Sequence, residues 1–288
     1  MDLGAIGMGL AFAFMWSSAF TSAHMIVAEA PPLWALAARF LISGLIGVSI
    51  AVATGQSFRL TRAQWRATAI FGICQNVLYL GLNFIAMQTV DASLAAIIAS
   101  TMPLIVALAG WLVFGEKTRP LGAAGLVAGV VGVVVIMASR LSGGGLGPSV
   151  ILCGIAVMAL ALATMTVRGA SSGGNVLMIV GLQMLVGAAI LAVAATATET
   201  VAIHWSPRLI LAFTYTTLVP GLLATWVWFK LVNRIGAVRA ATFHFLNPFF
   251  GVLIAAVLLH EHVGPGDVLG VVIIAGGILA VQVSKQAR

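Results

Sequence analysis

The chain has 288 residues, of which 61% are apolar and 7% are charged. A soluble domain carries roughly 25% charged residues, so this composition excludes a protein with a water-facing surface on all sides and predicts an integral membrane protein. The formal net charge of +7 would suggest nucleic-acid binding in a soluble protein. In a membrane protein we expect it to reflect topology, and we expect no nucleic-acid partner.

Ten apolar stretches follow one another along the chain, each close to the roughly 20 residues that a bilayer-crossing helix needs. They cover 4–27, 33–53, 65–87, 92–114, 119–139, 149–168, 175–197, 208–230, 238–259 and 267–284. The joints are short, and only Ser142–Pro148, after the fifth stretch, has the composition of a linker. The sequence therefore predicts an all-α membrane fold of ten transmembrane helices, divided into five-helix halves at 1–141 and 148–288.

The basic residues separate by side when the first helix starts in the cytoplasm. The predicted inner side then holds eleven of them: Arg59, Arg62, Arg66, Lys117, Arg119, Arg168, Lys230, Arg234, Arg239, Lys285 and Arg288. The predicted outer side holds only Arg140 and Arg208. Because cytoplasmic loops are enriched in lysine and arginine, we expect both termini in the cytoplasm and the protein in a bacterial inner membrane.

Two stretches of the chain repeat each other at an offset of 145 residues without a gap. Segment 86–140 aligned on 231–285 gives 11 identities in 55 positions. Pro103, Glu116, Pro120, Gly125 and Gly132 recur as Pro248, Glu261, Pro265, Gly270 and Gly277. Five spans per half give the halves opposite orientations, a design typical of secondary transporters, with the substrate site at the repeat interface. The glycines of the fifth and tenth helices predict close packing, either within one chain or between protomers, so monomer and homodimer both stay open.

The ends of the two copies resemble the EamA repeat. The matching stretches are Phe114-Gly-Glu116-Lys-Thr-Arg-Pro-Leu-Gly122 and Leu259-His-Glu261-His-Val-Gly-Pro-Gly-Asp267. Trp16-Ser-Ser-Ala-Phe20 is similar to the aromatic-small-small start of that repeat, whereas Met158–Thr164 offers no tryptophan in the second half. The resemblance covers nearly the whole chain. It implies the ten-helix form of the drug/metabolite transporter superfamily, and within it an amino-acid exporter.

Four polar residues of the third helix form one stripe. Gln75, Asn76, Tyr79 and Asn83 lie at i, i+1, i+4 and i+8, which share one face of a helix. Lipid cannot satisfy their donors and acceptors. The stripe therefore either lines a substrate cavity or forms interhelical hydrogen bonds that hold the bundle together.

Further candidates for substrate binding come from the first and ninth helices. Trp16 lies near the middle of its helix beside Ser17, far from either interface, and its indole N–H needs a partner. His244 and Asn247 lie one turn apart in the ninth helix. The other six tryptophans are expected near the interfaces as an aromatic belt, or in the apolar depth below it: Trp34, Trp65, Trp111, Trp205, Trp226 and Trp228.

Helix-breaking residues recur in both halves and are our candidates for gating hinges. They are Pro103, Pro220, Gly221 and Pro248. At the repeat offset, Pro220 and Gly221 correspond to Gln75 and Asn76. Paired interruptions of this kind mark a binding site or hinge in transporters, although prolines also have purely packing roles in membrane helices.

Two charged features need an interpretation of their own. Arg39 lies about 9 Å inside the second helix at 1.5 Å per residue. We expect it to snorkel to the interface, toward Glu29, with carboxylate binding as the alternative. His260, Glu261 and His262 are adjacent in a loop, and adjacent residues do not share a face. We expect neither a metal nor a cofactor.

The absence of charge near the middle of the spans bears on the substrate. No Asp or Glu lies there to pair with a cationic drug, and no Lys or Arg lies at the midplane to pair with a phosphate. A neutral polar lining with an aromatic residue fits a small zwitterion, so we predict a non-enzymatic exporter of amino acids, aromatic and other neutral ones. Alternating access through a central cavity is the expected mechanism, with the two halves rocking. A multidrug or metabolite efflux pump is the alternative, and a membrane enzyme would need a catalytic constellation that the sequence does not offer.

Overall fold

In the computed structural model, the described residues are 3–113, 115, 119–140, 147–167, 175–236 and 240–286. This part of the chain is helical and contains no strand. Ten helices within it are long and apolar enough to cross a membrane: α1 (Leu3–Val27), α2 (Pro32–Ala53), α3 (Arg62–Ala86), α4 (Ala92–Leu112), α5 (Pro120–Ser139), α6 (Pro148–Met165), α7 (Val176–Thr198), α8 (Pro207–Val232), α9 (Thr242–Leu259) and α10 (Pro265–Ser284). The ten predicted spans are thereby confirmed.

Proline sets the start of half of these helices. Pro32, Pro120, Pro148, Pro207 and Pro265 each occupy the first helical position. Proline lacks an N–H, but the first turn of a helix has no partner for that group, and its fixed φ already suits the helix. The same residues therefore end the loops and begin the spans, which is why the predicted boundaries agree closely with the observed ones.

Four helices are irregular inside the span. The middle of α3, Gly72–Leu80, and of α8, Val219–Leu223, is π-helical. At the repeat offset Val219–Leu223 corresponds to 74–78, so both halves carry this distortion at the same place. A turn at Thr101 divides α4, and α9 begins with a 3₁₀ segment, Thr242–Leu246. π-Helical segments are rare and often mark functional sites.

The helices pack into two compact units that cut across the two halves of the sequence. The first unit comprises Met1–Thr21, Val90–Gly154 and Leu223–Arg288, and the second comprises Ser22–Thr89 and Ile155–Leu222. Helices of both repeats therefore contribute to each unit. The boundary within α8 lies at the end of the π-helical segment Val219–Leu223.

In the first unit, α5 and α10 touch through their glycines and run antiparallel. A Cβ atom on Gly125 would lie 2.7 Å from the carbonyl oxygen of Gly277, and one on Gly132 would lie 2.9 Å from that of Gly270. Residues 125 and 270 are repeat mates, as are 132 and 277. The repeat therefore converts the contact between 125 and 277 into the contact between 270 and 132. Small residues allow membrane helices to approach this closely. The glycines of these two helices are thus used within one chain.

In the second unit, α2 and α7 cap each other's first turn. The Glu199 carboxylate, just after α7, accepts the backbone N–H groups of Leu33 at 2.9 and 3.1 Å and Trp34 at 3.1 Å. Gln56, just after α2, accepts the N–H of Met178, the repeat mate of Leu33, at 3.1 Å. The first N–H groups of a helix have no intrahelical partner, so both contacts satisfy an obligatory need. The reciprocal arrangement requires repeat mates to run antiparallel, which is the inversion that the loop charges predict.

Glu261 makes a similar contact in the first unit. Its carboxylate accepts the N–H groups of Ala92 at 2.8 Å and Ser93 at 3.0 Å, at the start of α4. This use explains an acid in a short loop between two apolar helices. Its repeat mate Glu116 lies outside the described residues.

Candidate functional site

The first unit contains a cluster of four rings, which we call the aromatic cluster: Phe12, Trp16, Trp228 and His244. Ring centroids of Phe12 lie 5.8 Å from Trp16, 4.6 Å from Trp228 and 5.4 Å from His244. His244 is 6.3 Å from Trp16 and 5.3 Å from Trp228, edge-on to both. Tilted and edge-to-face contacts at these distances are favourable. The imidazole therefore lies among three aromatic rings contributed by α1 and α8.

Polar groups from α1 and α9 border the aromatic cluster. Asn247 Nδ2 lies 2.9 Å from His244 Nδ1, and Ser17 Oγ donates to the backbone carbonyl of Asn247 at 3.1 Å. An amide nitrogen can only donate, so with this amide orientation His244 Nδ1 accepts and the neutral ring carries its proton on Nε2. Asn247 Oδ1 is buried and has no hydrogen-bond partner within the described residues. One acceptor beside the rings is thus free for a ligand.

Local sequence explains why α1 and α9 meet here. A Cβ atom at Gly9 would lie 2.3 Å from the ring of Phe243, so a larger residue at position 9 would have to displace this ring. The 3₁₀ segment that contains His244 passes into a helix at Asn247, and Pro248 follows at a position where its missing N–H costs nothing. These features bring the predicted residues Trp16, Ser17, His244 and Asn247 together.

The polar stripe of the third helix lies in the second unit, within the π-helical part of α3 and the turn after it. All four side chains are buried: Gln75, Asn76, Tyr79 and Asn83. Asn76 Nδ2 donates to the backbone carbonyl of Gln183 on α7 at 2.9 Å, and Asn83 Nδ2 donates to the carbonyl of Tyr79 at 2.8 Å. For Asn76 this is the interhelical bond of the alternative interpretation. Asn83 Oδ1 is buried without a partner in the part of the chain that the structure describes.

Arg39 does not snorkel, and that expectation was wrong. Its side chain is only 7% exposed and its guanidinium carbon lies 5.3 Å from the ring centroid of Phe40. One of its terminal nitrogens is 3.5 Å from the point where a Cβ atom of Gly221 would be. Glu29 is instead bonded to Ser206 at the loop. Packing beside the π-helical segment of α8 holds Arg39 inside the unit.

The candidate hinges divide between the units. Pro103 and Pro248 are buried in the first unit, each near the start of a helical segment that follows an irregular turn. Pro220 and Gly221 are buried in the second unit, inside the π-helical segment of α8. All four thus lie at or beside a break in regular helix.

Sequence reasoning missed two members of the aromatic cluster. Phe12 precedes Trp16 by four residues, a spacing that puts both on one face of α1, and this was the available signal. Trp228 was expected among the interfacial tryptophans, yet it contacts Phe12 and His244. Its neighbour Trp226 is 51% exposed and lies under Lys230, as a belt residue would.

A cleft of about 540 Å³ opens in the second unit, at the loop ends of α1, α2 and α7. Its lining includes Glu29, Gln88, Glu199 and His204. Both carboxylates are already used, Glu199 by the first turn of α2 and Glu29 by Ser206. The cleft therefore reflects loop packing more than a prepared ligand site.

Several known proteins are similar to this chain. It is 27% identical over 275 residues to the uncharacterized transporter YvbV of Bacillus subtilis, covering 95% of this chain and 90% of the relative. The uncharacterized inner membrane transporter YedA of Escherichia coli K12 is 26% identical over 291 residues, covering 98% and 92%. The aromatic amino acid exporter YddG of Ancylobacter novellus is 28% identical over 141 residues, about half of each chain at 49% and 48%. A crystal structure with 22% identity matches both chains in full with a TM-score of 0.70, which shows the fold.

The family comparison covers nearly the whole chain. The model of the EamA-like transporter family matches residues 3–138 and again 147–282. This family and the relatives above are transporters rather than enzymes. The ten helices, the antiparallel repeat mates and the double match agree, and the chain is a multi-pass membrane protein that belongs to the EamA-like transporter family, within the drug/metabolite transporter superfamily.

Proposed function

We propose that the protein is a secondary transporter that exports amino acids, aromatic and other neutral ones, by alternating access. The aromatic cluster of Phe12, Trp16, Trp228 and His244 carries this proposal, because substrate rings gain from edge and stacked contacts with such rings. Asn247 Oδ1 beside it, which has no partner among the described residues, can accept a hydrogen bond from the ammonium group without a fixed charge. The partial similarity to an aromatic amino acid exporter supports the same substrate class.

The distribution of acids also favours a zwitterion. Within the ten described helices the only acidic residue is Asp267, in the first turn of α10, where it accepts the N–H of Gly264 at 3.0 Å. A cation carried alone through the membrane would lack a carboxylate counter-charge. A zwitterion brings its own.

We further propose that the bodies that move during transport are the two packing units and not the two halves of the sequence. Each unit has its own close contacts, the glycine pairs in one and the reciprocal caps in the other. The chain passes between units within α1, α6 and α8. In α8 the boundary lies beside Pro220 and Gly221, and sharp helix kinks occur at prolines and π-helical segments. Pro103 and Pro248 would supply compliance in α4 and α9. We place the protein in a bacterial inner membrane with both termini in the cytoplasm, which the loop charges favour.

Counterflow in proteoliposomes tests the substrate class. Vesicles loaded with unlabelled phenylalanine should take up labelled phenylalanine, and unlabelled tryptophan or leucine outside should compete with it. Empty vesicles and vesicles with a Trp16→Ala, Trp228→Ala double variant serve as controls. Absence of counterflow for every amino acid would contradict the proposal.

An efflux pump for other small organic solutes is the second candidate. Aromatic rings also hold organic cations through cation–π contacts, and the aromatic cluster offers three such faces around His244. A fluorescent quaternary ammonium dye tested in the same vesicles separates the two functions. Flux of the dye without flux of amino acids would select the pump.

Energy coupling can be tested at His244, the titratable side chain of the aromatic cluster. An imidazole can change charge near neutral pH, so if His244 relays protons, an imposed pH gradient should drive uptake in the natural protein and not in His244→Ala. Counterflow, which needs no gradient, should persist in that variant at a reduced rate. An unchanged response to the gradient would exclude His244 as a proton relay and leave facilitated diffusion.

A further inference from the structure

We infer that Arg39, with the hydroxyl of Ser43 beside it, binds the carboxylate of the transported solute within the second packing unit. The inference rests on the proposed function for the identity of that solute. It assigns a charged anchor to a protein whose other candidate ligand groups are neutral.

The first step is that Arg39 is a buried cation without an acidic partner. The second unit contains two acidic residues, Glu29 and Glu199. Glu199 is bonded to the first amides of α2, and Glu29 is bonded to Ser206. No ion pair or hydrogen bond joins Arg39 to another described residue, and its Nε atom is fully buried and unpartnered there.

The second step is that an unpartnered hydroxyl accompanies this cation. Ser43 follows Arg39 by one helical turn, is 1% exposed, and its Oγ has no hydrogen-bond partner among the described residues. The position that a Cβ atom of Gly221 would occupy lies 3.5 Å from a terminal nitrogen of Arg39 and 3.7 Å from Ser43 Oγ. Both donors therefore face the π-helical segment of α8 at Gly221, where the lack of a side chain allows them to approach its backbone closely.

The third step concerns the surroundings that offset the charge. The ring of Phe40 lies against the guanidinium, and the carbonyl of Thr216 lies 3.2 Å from the position that a Cβ atom of Gly221 would occupy. A ring face and a carbonyl reduce the cost of a buried cation. They do not neutralise it, so the site favours an anion.

The ligand chemistry follows from the count of charges. One guanidinium matches one carboxylate, which it can bind through two parallel hydrogen bonds. A phosphate carries more negative charge, and this unit offers no second cation beside Arg39 among its described residues. An amino acid presents the required single carboxylate, and its ammonium group needs no acid if neutral oxygens receive it.

The test compares substrates that differ only at the carboxylate. Counterflow is measured for phenylalanine and phenylalaninamide with the natural protein, Arg39→Gln, Arg39→Lys and the control Arg208→Gln, whose arginine is exposed at the start of α8. We expect the half-saturating concentration of phenylalanine to rise about 10- to 100-fold in Arg39→Gln. That of phenylalaninamide should stay unchanged, and Arg39→Lys should recover part of the loss.

Thermal unfolding in detergent separates a binding role from a structural one. Removal of an unpaired buried charge should leave the unfolding midpoint of Arg39→Gln equal to or above that of the natural protein. Benzoate, but not benzamide or chloride, should raise the midpoint of the natural protein and not that of Arg39→Gln. This measurement needs no transport, so it tests the anion site even if amino acids prove not to be substrates.

Three results would overturn the inference. Equal loss of phenylalanine and phenylalaninamide flux in Arg39→Gln, with a lower midpoint, would make Arg39 structural. A natural protein that does not distinguish the acid from the amide would show that no carboxylate site operates. Stabilisation by chloride equal to that by benzoate would identify an inorganic anion site instead.

Discussion

The two packing units bury different kinds of side chain, and the helices within each unit are joined by different contacts. The first unit encloses rings around a neutral histidine and is closed by glycine pairs between α5 and α10. The second encloses amides and an unpaired arginine, and its helices α2 and α7 exchange caps through Glu199 and Gln56. Both units contain repeat mates packed antiparallel. The comparison indicates that the repeat supplies the scaffold, and we propose that residues without a like mate supply the affinity for the solute.

The largest expected effect comes from filling the glycine contact of the first unit. In Gly125→Val the added carbons would meet the backbone of Gly277 and Val281, which cannot move aside as a side chain can. Overpacking costs about 1–3 kcal/mol and more where backbone opposes it, so we expect little folded protein. Gly276→Val is the control, because nothing lies within 4 Å of its added Cβ. Size-exclusion chromatography and thermal unfolding give the readout, and similar behaviour of both variants would refute the glycine contact as the closure of this unit.

The next effect tests the aromatic cluster. We expect Trp228→Ala to lower kcat/KM for phenylalanine counterflow about 30-fold, since truncation of a central aromatic contact removes about 2 kcal/mol or more. Trp226→Ala, two residues away and 51% exposed, should stay within about twofold. Equal losses in the two variants would mean that Trp228, like Trp226, has only the role of an interfacial tryptophan.

A smaller effect should follow from removing a cap in the second unit. Glu199→Ala leaves the N–H groups of Leu33 and Trp34 without their acceptor, at a cost of about 1–3 kcal/mol in the free energy of unfolding. Glu199→Gln keeps one acceptor and should lose less, and the exposed neighbour variant Thr200→Ala should match the natural protein. Thermal unfolding measures all three. An unchanged midpoint for Glu199→Ala would mean that water replaces the carboxylate.

The smallest effect separates the two interpretations of the polar stripe. Asn76→Leu removes the bond to Gln183 and should cost about 0.6–2 kcal/mol of stability, with flux per folded molecule unchanged. Tyr79→Phe keeps the buried ring and removes only the hydroxyl, so it should instead lower flux with a smaller loss of stability. The opposite pattern would assign Asn76 to the substrate and Tyr79 to packing.

Much of the architecture can be read from the sequence because a membrane imposes long apolar runs. The ten spans follow from those runs, and proline marks where several begin. The break at Pro220 is also visible, since proline disturbs a regular helix, whereas the π-helical segment around Gln75 was not predicted, because the polar stripe was placed on a regular helix. The packing units are not visible in this way. A repeat is recognised along the chain, whereas the units are set by contacts between repeat mates that lie far apart in sequence.

The candidate site is only partly predictable for a related reason. Trp16, Ser17, His244 and Asn247 are unusual residues for the middle of a span, so their chemistry reveals them. Phe12 is an ordinary apolar residue there, and only its spacing of four residues from Trp16 sets it apart. Arg39 was misplaced because snorkelling was judged from its distance to the helix end. Its position is decided by its packing against Phe40 and against the backbone at Gly221, which the sequence does not show.

The reciprocal caps have a consequence for biosynthesis. Leu33 leaves the ribosome 166 residues before Glu199, and Ala92 leaves 169 residues before Glu261. At a synthesis rate of about 5–20 residues per second, the first N–H groups of α2 and α4 lack their carboxylate acceptors for roughly 10–30 seconds. A chain that stops before Glu199 would therefore reach the membrane with uncapped helix starts. Such unfinished ends distinguish an incomplete transporter from a complete one.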